Sequence, residues 1–259
     1  MSGYALDNSW DKAKRRLALL EQYLDPMTKR RIEALKVGEG SRCLEVGAGG
    51  GSIATWLGDK VGSEGRVVAT DINVALLQNL SRPNLEARQH DILKDNLPEG
   101  EFDFVHTRWL LHHLAEPEEA IRRMVAALRP GGWPLLEEVD FFPVHASDSS
   151  DYRDFMTVLV NTVVEASGRD CFWARALPSI VMRQGLTEIS GEGDFSLLQG
   201  GSPVAEFFTL TAEQMRDRML ASGEIGEDKL DRALKLLASP DFWAFGGGSV
   251  SVWGRKATI

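Results

Sequence analysis

Residues 44–52 read Leu44-Glu45-Val46-Gly47-Ala48-Gly49-Gly50-Gly51-Ser52. A short apolar strand, a glycine run and a helix follow one another there without a gap. The helix is signalled by Ile53, Trp56 and Leu57 at i, i+3 and i+4. This junction constrains the chain more than any other segment. Glycines let the backbone turn tightly and let a ligand touch it. The helix start behind them offers unpaired N–H groups. In an open parallel sheet, such a turn lies at the carboxyl ends of the strands, where ligands bind.

The same rhythm repeats downstream. Arg66 to Asp71 is a second strand that ends in an acid, and Asn73 can cap a short helix running to Leu80. Leu85 to His90 is a third strand, followed by Asp91, and Glu101 to His106 is a fourth. Pro117 to Leu128 is a helix: Pro117 sits at its first position, Glu118 and Glu119 in its first turn, and Gly131 beyond its end. Trp133 to Val139 is a fifth strand, with Pro134 near its start. Short apolar strands alternating with helices predict a parallel sheet covered on both faces. Upstream, residues 9–36 read as two helices with a break at Asp25-Pro26. After Val139 the rhythm is interrupted. Residues 148–184 and 203–239 look helical, Leu186 to Leu198 looks like a strand, and Phe242 to Arg255 is an extended segment split by Gly246-Gly247-Gly248.

Composition narrows the function classes. A chain of 259 residues with 43% hydrophobic and 26% charged residues is ordinary for a globular protein and fits one large α/β domain. A net charge of −9 argues against nonspecific nucleic-acid or anionic-membrane binding. The two cysteines, Cys43 and Cys171, stand alone in apolar sequence. They suggest reduced thiols in a cytoplasmic protein, not a disulfide framework or a thiolate zinc site. No apolar run approaches the ~18–20 residues of a membrane helix, and the N-terminal residues lack an apolar signal core.

Two cofactor classes compete for the glycine loop. Gly49-x-Gly51-x-x-Ala54, with Asp71 downstream, satisfies the loose dinucleotide fingerprint, so a nicotinamide (NAD(P)) oxidoreductase is one reading. Against it, Tyr4, Tyr23 and Tyr152 all lack a Lys four residues on, and Glu45 precedes the first glycine to give Glu-x-Gly-x-Gly-x-Gly. With Glu45 to Gly51, Asp71, Asp91, Phe102 to His106 and Leu128-Arg129-Pro130-Gly131-Gly132 in order, the chain resembles the class I S-adenosylmethionine-dependent methyltransferases of small-molecule type. The resemblance covers residues 40–140.

That resemblance implies a Rossmann-like, doubly wound α/β sheet of seven strands, the last antiparallel. Helical lid insertions would follow the fifth strand and precede the last. It implies one domain over 1–259, with N-terminal helices at 1–37, a cofactor half at 38–140, and a helical lid or substrate region at 141–185 and 200–241. The implied cofactor is S-adenosyl-L-methionine. Gly47, Ala48, Gly49 and Gly51 would back its homocysteine portion, and Glu45 would take the ammonium. Asp71 would accept the ribose hydroxyls with Ile72 on the adenine face. Asp91 and Ile92 would meet the adenine edge and ring, and Thr107 to Trp109 would line the methionyl arm. Tyr4 or Arg15 of the N-terminal segment would reach the carboxylate.

Acid–base work, where an acceptor needs it, falls to His112, His113 or Glu138. His112 and His113 follow strand four; Glu138 ends strand five, where strand alternation puts Asp140 on its face. No further ligands at suitable spacing accompany that acid pair, so no metal is expected. Phe141, Phe142, Phe155, Phe172, Trp173, Phe207, Phe208, Phe242, Trp243 and Phe245 are candidates for an apolar acceptor pocket. The expected partner is a small-molecule methyl acceptor, with no nucleic acid and no membrane; a homodimer stays open. A protein of this fold that binds the cofactor without transferring methyl is the remaining alternative.

Overall fold

A computed structural model describes residues 6, 10–78, 80, 82–165 and 172–258. Its elements in chain order are α1 (Ala13–Ala34), β1 (Arg42–Val46), α2 (Ser52–Val61), β2 (Arg66–Asp71), β3 (Leu85–Gln89), β4 (Phe102–Arg108), α3 (Pro117–Ala127), β5 (Leu128–Asp140), α4 (Phe142–His145), α5 (Ser150–Val164), α6 (Leu177–Arg183), β6 (Leu186–Gln199), α7 (Pro203–Ala221), α8 (Glu227–Ala238) and β7 (Trp243–Lys256). The strands form one sheet in the order β3-β2-β1-β4-β5-β7-β6, with β7 antiparallel. This is the doubly wound α/β sheet that the sequence rhythm predicts. The order reverses beside β1, so the glycine loop stands at the switch point.

Strand alternation sorts the central strands into two faces. Cys43 of β1, Val67 and Ala69 of β2, Phe104 of β4 and Leu135 of β5 pack with Ile53, Ala54, Leu57 and Val61 of α2 and Ile32 of α1, all fully buried. Farther along the same face, β1 and β4 carry Glu45 opposite His106. Glu137 of β5 lies opposite Arg108, two residues on from Leu135 and hence on the same side. An apolar face thus turns polar at the carboxyl ends of the strands.

The chain divides into two compact units. One holds residues 24–138, 175–192 and 251–259; the other holds residues 1–23, 139–174 and 193–250. In the second unit α5, α7 and α8 share a core that includes Phe155, Leu159, Phe207, Phe208, Met215, Met219, Leu230 and Leu237, all buried. Arg232 clasps Asp151, and Lys229 pairs with Asp154. Arg15 is held by both oxygens of Glu206, at 2.8 and 2.7 Å.

Three local expectations change. Residues 9–36 do not break at Asp25-Pro26: one helix, α1, runs through Pro26. Asp25 is not a cap there, because its carboxylate accepts from Ser52 Oγ at 2.9 Å and Arg108 Nη2 at 3.0 Å and pairs with Lys29 at 3.0 Å. Burial of Leu24, Thr28, Arg31 and Ile32 offsets the hydrogen bond that proline removes. Next, β5 begins at Leu128, five residues before Trp133, and its register against β4 shifts between the two. Finally, Gly246-Gly247-Gly248 does not split the last segment: β7 is continuous. The glycines answer crowding, since a Cβ at Gly247 would meet the Phe141 ring at 2.8 Å and one at Gly248 the Asp140 carbonyl at 2.6 Å.

Candidate functional site

The glycine loop is built by its own backbone. Gly47 and Ala48 donate to the Thr70 carbonyl of β2 at 2.8 and 3.0 Å, which folds the loop across the neighbouring strand. Gly47, Gly49 and Gly51 take φ values of 75, 57 and 82°, a region closed to most side chains. Gly51 also lacks room, because a Cβ there would run into Leu80 and Leu77.

Asp71 ends β2 beside this loop. One carboxylate oxygen accepts from Gly49 N at 3.0 Å and the other from Asn73 N at 3.0 Å. Burial raises its pKa above the usual carboxylate value despite those donors, and the nearby Glu45 adds to the rise. Each oxygen keeps acceptor capacity, so the half-buried carboxylate can take further donors. Ile72, next in sequence, is 46% exposed, an apolar surface at a strand end.

Glu45 is buried on β1. Its Oε1 stands 3.6 Å from His106 Nδ1, while Oε2 is buried with no hydrogen-bond partner among the described residues. An unpartnered carboxylate oxygen in such a place is costly unless a ligand donor meets it. Asp91 is differently engaged. It accepts from Leu93 N at 3.0 Å and Lys94 Nζ at 2.7 Å, organising the turn after β3. Burial works to raise its pKa, and the Lys94 ammonium with the Leu93 N–H outweighs that and leaves it lowered. Ile92 is buried. Thr107 is also committed: its hydroxyl donates to the Val46 carbonyl at 2.9 Å and fixes β4 to the strand that carries the loop.

Beyond β4 the chain turns sharply. Trp109 has φ 50°, unusual for a bulky residue, and its N–H donates to the Glu137 carbonyl at 2.8 Å. The short 3-10 turn Leu111–His113 follows. Glu138, fully buried on β5, holds this turn. Its Oε1 accepts from Leu110 N at 2.9 Å and Leu111 N at 2.6 Å, and its Oε2 meets His112 Nδ1 at 2.7 Å. Nδ1–H donating to the carboxylate leaves the lone pair of the neutral ring on Nε2. His113 lies against the His112 ring, with centroids 3.9 Å apart. So His112 and Glu138 come together as a pair, with His113 beside them. Asp140 instead caps the start of α4 by accepting from Phe142 N at 2.8 Å.

On the other face, a polar cluster stands out that the sequence reading leaves unassigned. Glu137 accepts from Arg31 Nη1 at 2.8 Å and Ser251 Oγ at 2.9 Å through Oε1. Through Oε2 it accepts from Thr28 Oγ1 at 2.5 Å and meets His106 Nε2 at 3.2 Å. Arg108 donates to Thr28 Oγ1 and Asp25, each at 3.0 Å. Burial works to raise the Glu137 pKa, and the His106 contact overrides it, bringing the value to about 2. For His106, burial works downward, and Glu137 and Glu45 carry its pKa above the usual value. The sequence signals were weak: His106 and Glu137 sit in largely apolar strands, whereas Asp25, Thr28 and Arg31 lie in a polar stretch of α1.

Several expected residues fall elsewhere. Tyr4 and Cys171 lie outside the described residues. Arg15 is committed to Glu206. Of the proposed pocket aromatics, Phe141, Phe155, Phe207 and Phe208 are buried core, whereas Phe142 and Trp243 are exposed. Among the described residues no group of three or more His, Cys, Asp and Glu side chains is placed to share a metal ion. None of their helices is long and apolar enough to cross a membrane.

Comparison with known proteins follows the same lines. Residues 44–136 match the family described as a methyltransferase domain. Methyltransferase str3 of Strobilurus tenacellus is 29% identical over 152 residues, covering 57% of this chain and 52% of that one. The ubiquinone/menaquinone biosynthesis C-methyltransferase UbiE of Pseudomonas putida (strain GB-1) is 36% identical over 115 residues, covering 41% and 45%. The chain thus spans about half the length of these curated relatives. Among solved structures, the [4+2]-cyclase SpnF superposes with a TM-score of 0.57 at 19% identity, covering 92% of this chain and 82% of that one. Over residues 44–136 the chain is thus similar to the methyltransferase-domain family.

Proposed function

We propose that this protein binds S-adenosylmethionine at the Gly47–Gly51 loop and transfers its methyl group to a small-molecule acceptor. The observation that carries this reading is the pair Glu45 and Asp71. Glu45 is buried and Asp71 half-buried beside the loop, the first with an unpartnered oxygen and the second with acceptor capacity left on both oxygens. An ammonium suits the first, and two ribose hydroxyls suit the second. A nicotinamide dinucleotide offers the hydroxyls but no primary ammonium, so Glu45 separates the two cofactor classes. Ile72 would pack on the adenine face, with Asp91 and Ile92 at its edge. Ala48 and the loop glycines would back the aliphatic arm, with Trp109 beside it. Tyr4 stays a candidate for the carboxylate.

The cofactor supplies an activated methyl group on a sulfonium leaving group. The protein's task is then alignment and exclusion of water. An acceptor that must lose a proton needs a base, and His112 is the best placed: Glu138 fixes its Nδ1, and Nε2 can take the proton. Glu138 would stabilise the resulting imidazolium, with His113 shaping the ring's surroundings. We assign acceptor recognition to residues 141–185 and 200–241, where Phe142 presents an exposed ring. The reading places the protein in the cytoplasm without nucleic-acid or membrane partners.

Calorimetry with S-adenosylhomocysteine and with NADH tests the cofactor. S-adenosylhomocysteine should bind, and Asp71→Ala should weaken it about tenfold or more, since ~1.5–3 kcal/mol rests on each charged bond. Binding of NADH alone would install the oxidoreductase reading instead. Because one fold hosts several activities, transfer is read separately, as labelled methyl appearing in small-molecule acceptors. Binding without transfer to any acceptor would favour a cofactor-binding role.

A further inference from the structure

We propose that His106 is a positioning residue for recognition of the cofactor's amino group: it holds Glu45 with one oxygen turned inward and leaves the other for that group. The proposal rests on the cofactor reading above and deepens it. The register carries the geometry. Glu45 and His106 are paired on adjacent parallel strands, and their side chains project to the same face. His106 Nδ1 stands 3.6 Å from Glu45 Oε1, and Nε2 lies 3.2 Å from Glu137 Oε2. The ring is completely buried and stacks on Phe104, with centroids 6.2 Å apart and planes 8° apart, so it has little freedom to tilt.

Every charged or polar group around this ring has a fixed place. Glu45 faces it from β1 and Glu137 from β5. Glu137 is itself held by Arg31 and Thr28 of α1 and Ser251 of β7, with Arg108 of β4 reaching Thr28. Glu137 therefore anchors one side of the ring, and the ring aims its other nitrogen at Glu45. At 3.6 Å the Nδ1–Oε1 approach is an ion-pair contact and not a hydrogen bond, and Nδ1 has no hydrogen-bond partner among the described residues, so turning the Glu45 carboxylate away would give up the contact that faces this nitrogen. Oε2 stays buried and unpartnered, ready for a donor that arrives with a ligand. Burial works against the charged ring, and the two carboxylates outweigh it and raise the His106 pKa above its usual value. A protonated ring there tempers the mutual repulsion of Glu45 and Glu137.

The test uses two ligands, S-adenosylhomocysteine and the same thioether without its amino group (S-adenosyl-4-thiobutanoate). The wild-type protein should prefer the amino-bearing ligand about tenfold or more. His106→Gln should bring S-adenosylhomocysteine down toward the affinity of the analogue and leave the analogue's affinity within about threefold. A merely structural role would weaken both ligands together. A preference retained in His106→Gln, or lost in equal proportion for both ligands, overturns the proposal. If the wild type binds neither ligand, the cofactor reading itself has failed and takes this one with it. A second measurement needs no variant. In wild-type protein with assigned histidine side-chain nitrogens, S-adenosylhomocysteine should move His106 Nδ1 more than Nε2, and the analogue should move neither appreciably. No shift, or equal shifts with both ligands, contradicts the proposal.

Discussion

Glu137 and Glu138 are consecutive residues of β5 that face opposite sides of the sheet, and each holds a buried histidine. Their surroundings differ. Glu137 collects Arg31, Thr28, Ser251 and His106 from three other elements. Glu138 collects two backbone N–H groups and His112, all within residues 110–112. The first carboxylate ties together segments distant in sequence, so its loss strips the buried Arg31 and His106 of their nearest acid and leaves them only Glu192 at 3.3 Å and Glu45 at 3.6 Å. The second shapes a single turn and leaves an imidazole nitrogen for chemistry. One side of the strand thus secures the scaffold under the glycine loop, and the other carries the histidine proposed as the base.

The largest expected effect breaks the scaffold side. Glu137→Ala should cost about 3–5 kcal/mol of stability, the range for stripping one partner from a buried ion pair, read from urea unfolding. Glu138→Ala should cost less, about 1–3 kcal/mol, for lost hydrogen bonds to backbone and imidazole. Equal losses, or the reverse order, would dissolve the contrast. On the chemical side, His112→Gln should lower kcat about a hundredfold or more for an acceptor that loses a proton. The Kd for S-adenosylhomocysteine should stay within about twofold, so a large change in that Kd would move His112 into the binding machinery.

The pH dependence sharpens the scaffold side further. The Glu137 pKa is depressed from 4.5 to about 2 in the folded protein. Its stabilisation is therefore present above pH 4.5 and lost as pH falls from there toward 2. The His106 pKa is raised above 6.5, so its stabilisation is full below that pH and lost as pH rises through the folded value. Urea midpoints measured across pH should decline on both flanks, and His106→Gln should flatten the alkaline one. A variant that keeps the alkaline slope would assign it to another group. The smallest effect is local: Gly51→Ala should cost roughly 1–2 kcal/mol, from a side chain at φ 82° that meets Leu77 and Leu80. A melting temperature equal to wild type would mean that the loop relaxes freely.

Much of the fold was legible because its signals are local. The strand–glycine–helix junction at Val46 to Ser52, the acid-ended strand Arg66 to Asp71 and the proline-started helix at Pro117 all appear where periodicity and turn chemistry place them. Pro26 misled because its penalty is local, whereas the hydrogen bond from Ser52 and the ion pair with Arg108 that hold Asp25 come from distant residues. The three glycines of β7 misled in the same way, since the Phe141 ring and the Asp140 carbonyl that require them lie about a hundred residues away. The site divides along the same line. Glu45, Asp71 and His112 carry motif or loop signals. The meeting of His106 with Glu137, Arg31 and Thr28 depends on strand register and helix docking, which no window of sequence displays.

The most direct measurement is a crystal structure of the complex with S-adenosylhomocysteine. It should show the ribose hydroxyls on Asp71, the ammonium within hydrogen-bond reach of Glu45 Oε2, and the sulfur on the side of His112. A ligand bound elsewhere, or an ammonium that bypasses Glu45 with Oε2 still unpartnered, would contradict the account.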